Sequence, residues 1–258
     1  MNNLKIIKSD LLEAYLEQIS GLQPKFEALK EAEISTDTFS FYISVASVFS
    51  SKIEGEDIEL DSYIKHKAMH LEFKPDYTKK TDDLYNAYQF AQSHPLNAHT
   101  ISKANKLLSK NIVERHKQGK LRTNIMYVAT DDGRIEYVAT SPYELKAEME
   151  KWYADVEVLL NTSMSAEEVF FYAAMLHLTF VKIHPWNDGN GRSARLIEKW
   201  FIAQKLGEKA WFLQSEKNYY NQHALYYTNL RKLGLEYEEL DYNQALPFLI
   251  MLPKCLEL

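Results

Sequence analysis

The sequence has 258 residues, 46% hydrophobic and 26% charged, with only 8 glycines and 7 prolines; this suits one mainly helical domain and argues against a loop-rich all-β chain. A formal net charge of −6 leaves no basic footprint over the whole chain, so no nucleic-acid partner is expected. The single cysteine, Cys255, excludes an internal disulfide framework and a cysteine-based zinc cluster, and no apolar run has the length of a membrane span or the form of a leader, so a soluble cytoplasmic protein with no membrane contact is expected.

In chain order, Asp10 to Ile19 has helical spacing with Leu12, Leu16 and Ile19 on one side, and Ser20 to Pro24 stops it. The run from Thr38 places Phe41, Val45, Val48 and Phe49 on one helix face and ends at Gly55. Two further helices are predicted, one from about Asp82 and one from Thr100 as N-cap towards Lys120. The texture then changes. β-prone residues on both sides of Asp131-Asp132-Gly133 predict a short hairpin, Asn124 to Thr140. Helical patterns return over Ser141–Leu160 and over Ser165–Ile183, the latter so apolar that it should be central. Arg192 to Gly207 is helical again, and the tail has room for one or two more helices. No repeat, low-complexity tract or linker divides the chain.

Between the last two apolar helices lies "HPWNDGNGRSAR", His184 to Arg195. Pro185 and the Asn-Asp-Gly-Asn-Gly run cannot continue a helix, so residues 184–191 form a loop. The next helix starts near Gly191, and its free N–H groups and dipole favour an anion there. Arg192 and Arg195 fall in its first turn, where a cation is unfavourable by roughly 0.3–1 kcal/mol. Two such cations make sense if an anion sits between them, and a phosphate chain suits a helix start. His184 can take a proton near neutral pH, and Asp188 offers the one carboxylate that magnesium uses beside phosphate oxygens and water. Each feature alone is ordinary loop composition. Together, within twelve residues, they describe phosphoryl or nucleotidyl transfer.

The stretch resembles the Fic-domain signature, His-Pro-Phe-x-Asp/Glu-Gly-Asn-Gly-Arg-x-x-Arg, and departs from it only in Trp186, where the pattern has Phe. A larger ring there should alter packing more than chemistry. Weaker likenesses are Gly119–Arg122 in "QGKLR" and Tyr226–Leu230 in "YYTNL". The resemblance implies a single helical Fic domain with a hairpin flap over about 124–140. It divides the chain into an N-terminal helical region (1–81), a catalytic core (82–205) and a C-terminal helical extension (206–258). It further implies a protein adenylyltransferase that moves AMP from ATP, with magnesium, onto a Tyr, Ser or Thr hydroxyl of a target protein. His184 would take the hydroxyl proton and Asp188 would hold the metal. Gly189, Asn190, Gly191 and Arg192 would bind the α- and β-phosphates, and Arg195 the γ-phosphate. The flap would align a target segment by strand addition. A de-AMPylase or two-way enzyme, transfer of another nucleotide, and a non-catalytic nucleotide-binding interaction domain stay open as alternatives, as do self-modification and a homo-oligomer.

A second oddity is Glu54, an acid expected in the last turn of an apolar-faced helix, where it opposes the helix dipole, just before Gly55 at the C-cap. Ser50-Ser51-Lys52-Ile53-Glu54-Gly55 resembles the inhibitory motif of one Fic subclass, Ser/Thr-x-x-x-Glu-Gly/Asn. That resemblance implies an inhibitory helix over about 36–55, with Ser50 and Glu54 as regulatory residues and Glu54 paired to Arg195. His177, seven residues before His184, reads as a satisfied core histidine, and the aromatics from Tyr219 to Tyr227 read as packing.

Overall fold

In a computed structural model describing residues 4–29, 38–69, 77–129 and 135–257, the N-terminal part runs through α1 (Leu12–Gln18), α2 (Leu22–Glu27), α3 (Thr38–Ile53), α4 (Leu60–Met69), α5 (Lys79–Gln92) and α6 (Ala98–Leu108). Two antiparallel strands follow, β1 (Tyr127–Ala129) and β2 (Ile135–Val138), then α7 (Leu145–Asn161), α8 (Ala166–Ile183) and α9 (Asn190–Leu206). Three short helices, α10 (Ser215–Asn221), α11 (His223–Arg231) and α12 (Leu246–Leu249), occupy the tail with several 3₁₀ turns. The architecture is mainly α with one hairpin, as the sequence predicts. Among the described residues no helix is long and apolar enough to cross a membrane. The predicted Asp131–Gly133 turn and residues 36 and 37 of the predicted inhibitory segment lie outside the described residues.

The most apolar helix is the centre. Every residue of α8 from Val169 to Ile183 is buried, and α7, α9, α1, α2 and α12 pack around it. Its start is fixed by a capping box: the Ser165 hydroxyl accepts the Glu168 N–H, and Glu168 accepts the Ser165 N–H in return. α9 is buried along most of its length beside α8, which carries both ends of the intervening loop on core helices.

Several local expectations change. α1 buries Tyr15 rather than its leucines; Tyr15 meets Phe171 edge-on with centroids 5.2 Å apart, while Leu16 is exposed. A helix of seven residues has too little face to bury a full apolar stripe, so one aromatic does the anchoring. α3 is not amphipathic in the predicted way: Ile43 to Val48 is buried all round, Phe41 and Phe49 are partly exposed, and Ser44, Ser47, Ser50 and Ser51 are buried. Neighbours on several sides, α5, α10 and α9 among them, account for this. α5 starts three residues earlier than predicted. The N-cap of α6 is Asn97, with Thr100 as its reciprocal partner at the third helical position. α6 also stops at Leu108 instead of running on to Lys120, and the chain doubles back on the helix. The Ser102 hydroxyl donates to the Gly119 carbonyl at 2.6 Å, and Asn105 Oδ1 accepts the Gly119 N–H at 3.0 Å. Gly119 has φ 66°, a left-handed conformation that glycine adopts without strain.

Candidate active site

The loop from α8 to α9 is shaped by its own side chains. His184 caps α8 in the left-handed conformation, φ 53° and ψ 61°, the sole non-glycine positive φ among the described residues. Asn190 Oδ1 accepts the Trp186 N–H at 2.8 Å, and its amide donates to the Trp186 carbonyl at 2.9 Å, which closes the loop. Trp186 is buried beside Phe180, as expected of an apolar anchor. Gly189, φ 78°, has no room for a side chain, because a Cβ there would strike Leu108 of α6.

Arg122 ties this loop to the hairpin. Its Nε donates to the His184 carbonyl at 2.7 Å and Nη2 to Ile183 at 3.3 Å, so a cation sits at the negative end of α8. The same guanidinium donates to the carbonyls of Asn124 and Thr140, where the hairpin begins and ends. The Arg122 N–H also donates to the Pro185 carbonyl at 2.9 Å.

His184 is held on one side. The Tyr137 hydroxyl donates to the Val181 carbonyl at 2.9 Å, and its oxygen lies 3.0 Å from His184 Nδ1, which is 3.3 Å from the same carbonyl. These partners assign the proton to Nδ1 and leave the Nε2 lone pair as acceptor. Burial, aided by the Arg122 charge, pushes the imidazole pKa down to about 4, although the Val181 bond and Glu54 act the other way. At neutral pH the ring is neutral and can accept a proton.

The α9 start is an anion site with an anion of the protein's own in it. No side chain caps α9. The Glu54 carboxylate lies there instead: a Cβ on Gly191 would collide with its Oε1, and that oxygen is 2.6 Å from Arg195 Nη2. The Ser50 hydroxyl accepts from Arg195 Nε at 2.8 Å, and its carbonyl accepts from Nη2 at 3.1 Å. Burial works to raise the Glu54 pKa, but the guanidinium groups of Arg195 and Arg192 outweigh it and hold the carboxyl below its ordinary range. A second pair lies alongside: Glu56 is 3.3 Å from Arg192 Nη2 and 2.7 Å from Lys80. Both acids are set by one turn. The Glu56 N–H bonds the Ser51 carbonyl and the Gly55 N–H bonds that of Lys52, with Gly55 at φ 84°, which is a Schellman closure of α3. Glu54 therefore stands just past the helix, not in its last turn. Arg192 Nε and Arg195 Nη1 are buried donors with no hydrogen-bond partner among the described residues.

Residues 95–202 match the family model described as the Fic/DOC family. The chain carries a Fic domain. Its fold is similar to that of a Fic family protein from Desulfovibrio desulfuricans, at 16% identity over 99% of this chain and 74% of that one, TM-score 0.76. A Fic domain containing signaling protein from Bacteroides thetaiotaomicron is 20% identical over 94% and 92% of the two chains, TM-score 0.66. Fic-1 from C. elegans is 17% identical over 96% and 70%, TM-score 0.66. A comparison with curated proteins gives no match.

Residues singled out in the sequence, from the Fic domain and from the end of α3 outside it, come together at the start of α9. Glu54, Ser50, Gly191, Arg192 and Arg195 form one polar cluster, with Gly189 and Asn190 shaping the loop beneath it. The Asn190 side chain is spent on Trp186, so what Asn190 offers a phosphate is its N–H. Asp188 is exposed and its Oδ1 accepts the Gly189 N–H. Among the described residues no group of three metal-ligating side chains forms. A lone oxygen donor beside an anion site still suits magnesium, which typically takes one or two carboxylates with phosphate oxygens and water. His177 is fully buried with both ring nitrogens bonded, to Glu198 at 2.7 Å and to the Tyr226 hydroxyl at 2.9 Å. Reading the sequence missed Tyr137, Glu56 and the clamping role of Arg122. Arg122 stood inside the "QGKLR" likeness, and Glu56 was legible as a second acid in the turn that carries Glu54.

Proposed function

We propose that this Fic-domain protein transfers AMP from ATP to a hydroxyl of a target protein and is held inactive in cis by Glu54. The observation that carries the reading is the Glu54 carboxylate seated over Gly191 and bonded to Arg195. An acid of the chain fills the place where a phosphate would meet the helix start. Fic-family proteins transfer nucleotide-derived groups to proteins, which supports the same class of reaction.

The hydroxyl oxygen attacks the α-phosphorus of ATP as the bond to the pyrophosphate oxygen breaks, and the hydroxyl proton passes to His184 Nε2. Tyr137 and the Val181 carbonyl keep Nδ1 protonated and the ring oriented. The N–H groups at the start of α9, with Arg192, hold the α- and β-phosphates, and Arg195 holds the γ-phosphate once Glu54 withdraws. Magnesium held by Asp188 would neutralise charge on the phosphates. The flap is suited to present the target: Ile125, Tyr127 and Ile135 are exposed on it, and among the described residues no strand besides β2 pairs with β1.

The test is incorporation of α- and γ-labelled ATP by wild type and by Glu54→Gly with magnesium. We expect a nearly silent wild type and a Glu54→Gly variant that labels protein from the α- but not the γ-phosphate. The gain should vanish in Glu54→Gly/Arg195→Ala. If Glu54→Gly is no more active than wild type, the inhibitory reading fails. Release of AMP from a modified protein by wild type but not by Glu54→Gly would favour the reverse reaction.

A further inference from the structure

The truncation of α6 leaves a feature that the transfer reaction does not use. Ile101, Ala104, Asn105 and Leu108 face inward. His99, Lys103 and Lys106 fall four and three residues apart along the other face, and Lys110 continues the line in the turn just past the helix. The chain that doubles back against this stripe brings Arg115 and Gly119, and together they line a cavity of about 970 Å³.

The charge there is one-sided. Residues 99–122 hold seven lysines and arginines and one acid, Glu114, in a chain whose net charge is −6. Glu114 is already engaged by Lys117 at 2.9 Å and His116 at 3.6 Å. Among the described residues Lys106, Lys110 and Arg115 have no ion pair, and the Lys103 ammonium rests 4.9 Å from the Phe90 ring centroid. The walls are fixed: Gln118 donates to the carbonyls of Lys110 and Val113, and Gly119 is tied to Ser102 and Asn105. Cations converging from two walls of a concave surface focus a positive potential outward, which attracts an anionic partner.

We propose that this groove binds an acidic segment of the target polypeptide, next to the hydroxyl residue presented on the flap; the proposal rests on the reading of the site as a transferase acting on protein. The location favours it. The groove ends at Gly119, and Gly119 to Arg122 spans at most about 10 Å. Arg122 then pins the base of the flap and the His184 loop together. A peptide aligned on the flap passes the groove within a few residues. Nucleic acid fits less well, because no Phe, Tyr or Trp lines the groove to stack bases and the rest of the chain is acidic.

The test uses a fluorescent peptide of alternating glutamate and glycine with one tyrosine, its glutamine counterpart, and single-stranded DNA of equal charge. Each is titrated into the wild type and into Lys103→Glu/Lys106→Glu/Lys110→Glu, whose changes are all at exposed positions. The glutamate peptide should bind the wild type, lose affinity as salt is added, and bind the triple variant about tenfold more weakly or worse, as several exposed charge pairs acting together require. The milder Lys106→Gln/Lys110→Gln pair should show a smaller loss in the same direction. Equal binding by wild type and triple variant, or DNA binding tighter than the glutamate peptide, would overturn the proposal. In a Glu54→Gly background the triple change should raise KM for the peptide with kcat and self-labelling unmoved. A Glu54→Gly protein that labels nothing would sink the transferase reading, while the titration alone still decides what the groove binds.

Discussion

The loop between α8 and α9 and the turn that closes α3 meet at the same two arginines, yet they are held in opposite ways. The loop is fixed through backbone groups, by Arg122 on the end of α8, by Asn190 on Trp186 and by Tyr137 on Val181. The turn reaches the arginines through the carboxylates of Glu54 and Glu56, whose side chains keep 24% and 28% of their exposure, while Ser50 of α3 also accepts from Arg195. Water already competes for those two acids, whereas it reaches few of the groups that shape the loop. On the proposed function, the machinery is preformed and its brake is a pair of removable side chains. A change at the brake should therefore alter activity with little loss of fold, and a change at the loop should cost both.

The largest effect should come from the loop. His184→Ala in a Glu54→Gly background should lower AMP transfer by about 10²–10⁴-fold with ATP binding kept, since a general base contributes that much; single-turnover labelling and an ATP titration measure the two. Arg122→Ala should come next. It strips a buried cation from four carbonyls and should cost about 3 kcal/mol in chemical denaturation. In the derepressed background it should also lower transfer, because His184 and the flap lose their common tie.

Acid should reveal the loop histidine before the brake. The His184 pKa lies at about 4, below its ordinary 6.5, so on acidification the unfolded chain takes up this proton first. Stability conferred by the neutral ring is present above pH 6.5 and is lost as pH falls from 6.5 towards 4. Glu54, shifted downward, gives up its contribution only below its ordinary 4.5. Denaturation midpoints followed against pH should fall in the upper window for wild type and less steeply for His184→Ala. The smallest effect belongs to Glu56→Gln. It frees Arg192 from a pair that is longer than the Glu54–Arg195 contact, 3.3 Å against 2.6 Å, and should raise transfer a few-fold at most, well short of Glu54→Gly. A larger gain there would mean that the two acids share the brake evenly.

The two regions were also unequally legible in the sequence. The loop could be read residue by residue because its chemistry sits within twelve consecutive positions, and the apolar pattern of α8 and α9 set its flanks. The pairing of Glu54 with Arg195 joins residues 141 positions apart. Local spacing shows only that each is electrostatically misplaced, and the family likeness supplied the partner. Tyr137 and Arg122 stayed hidden for the same reason, since their partners are backbone carbonyls, which carry no residue type. The end of α6 was misread because the propensity of Lys106 to Lys120 continues a helix, and what stops it is tertiary: Ser102 and Asn105 capture Gly119 and fold the chain back.

The flap has one further consequence. The outer side of β2 is already met by residues 235 and 236, through the Val138 N–H on the Leu235 carbonyl and a bridge to Glu236. Among the described residues no other strand pairs with β1. Among the described residues β1 thus presents a sheet border that no strand covers. Two copies that met border to border would use up both at once and stop at a pair, with no edge left to recruit a third. On the proposed function, an edge left open for a guest would in this way close on itself instead of growing into a fibre.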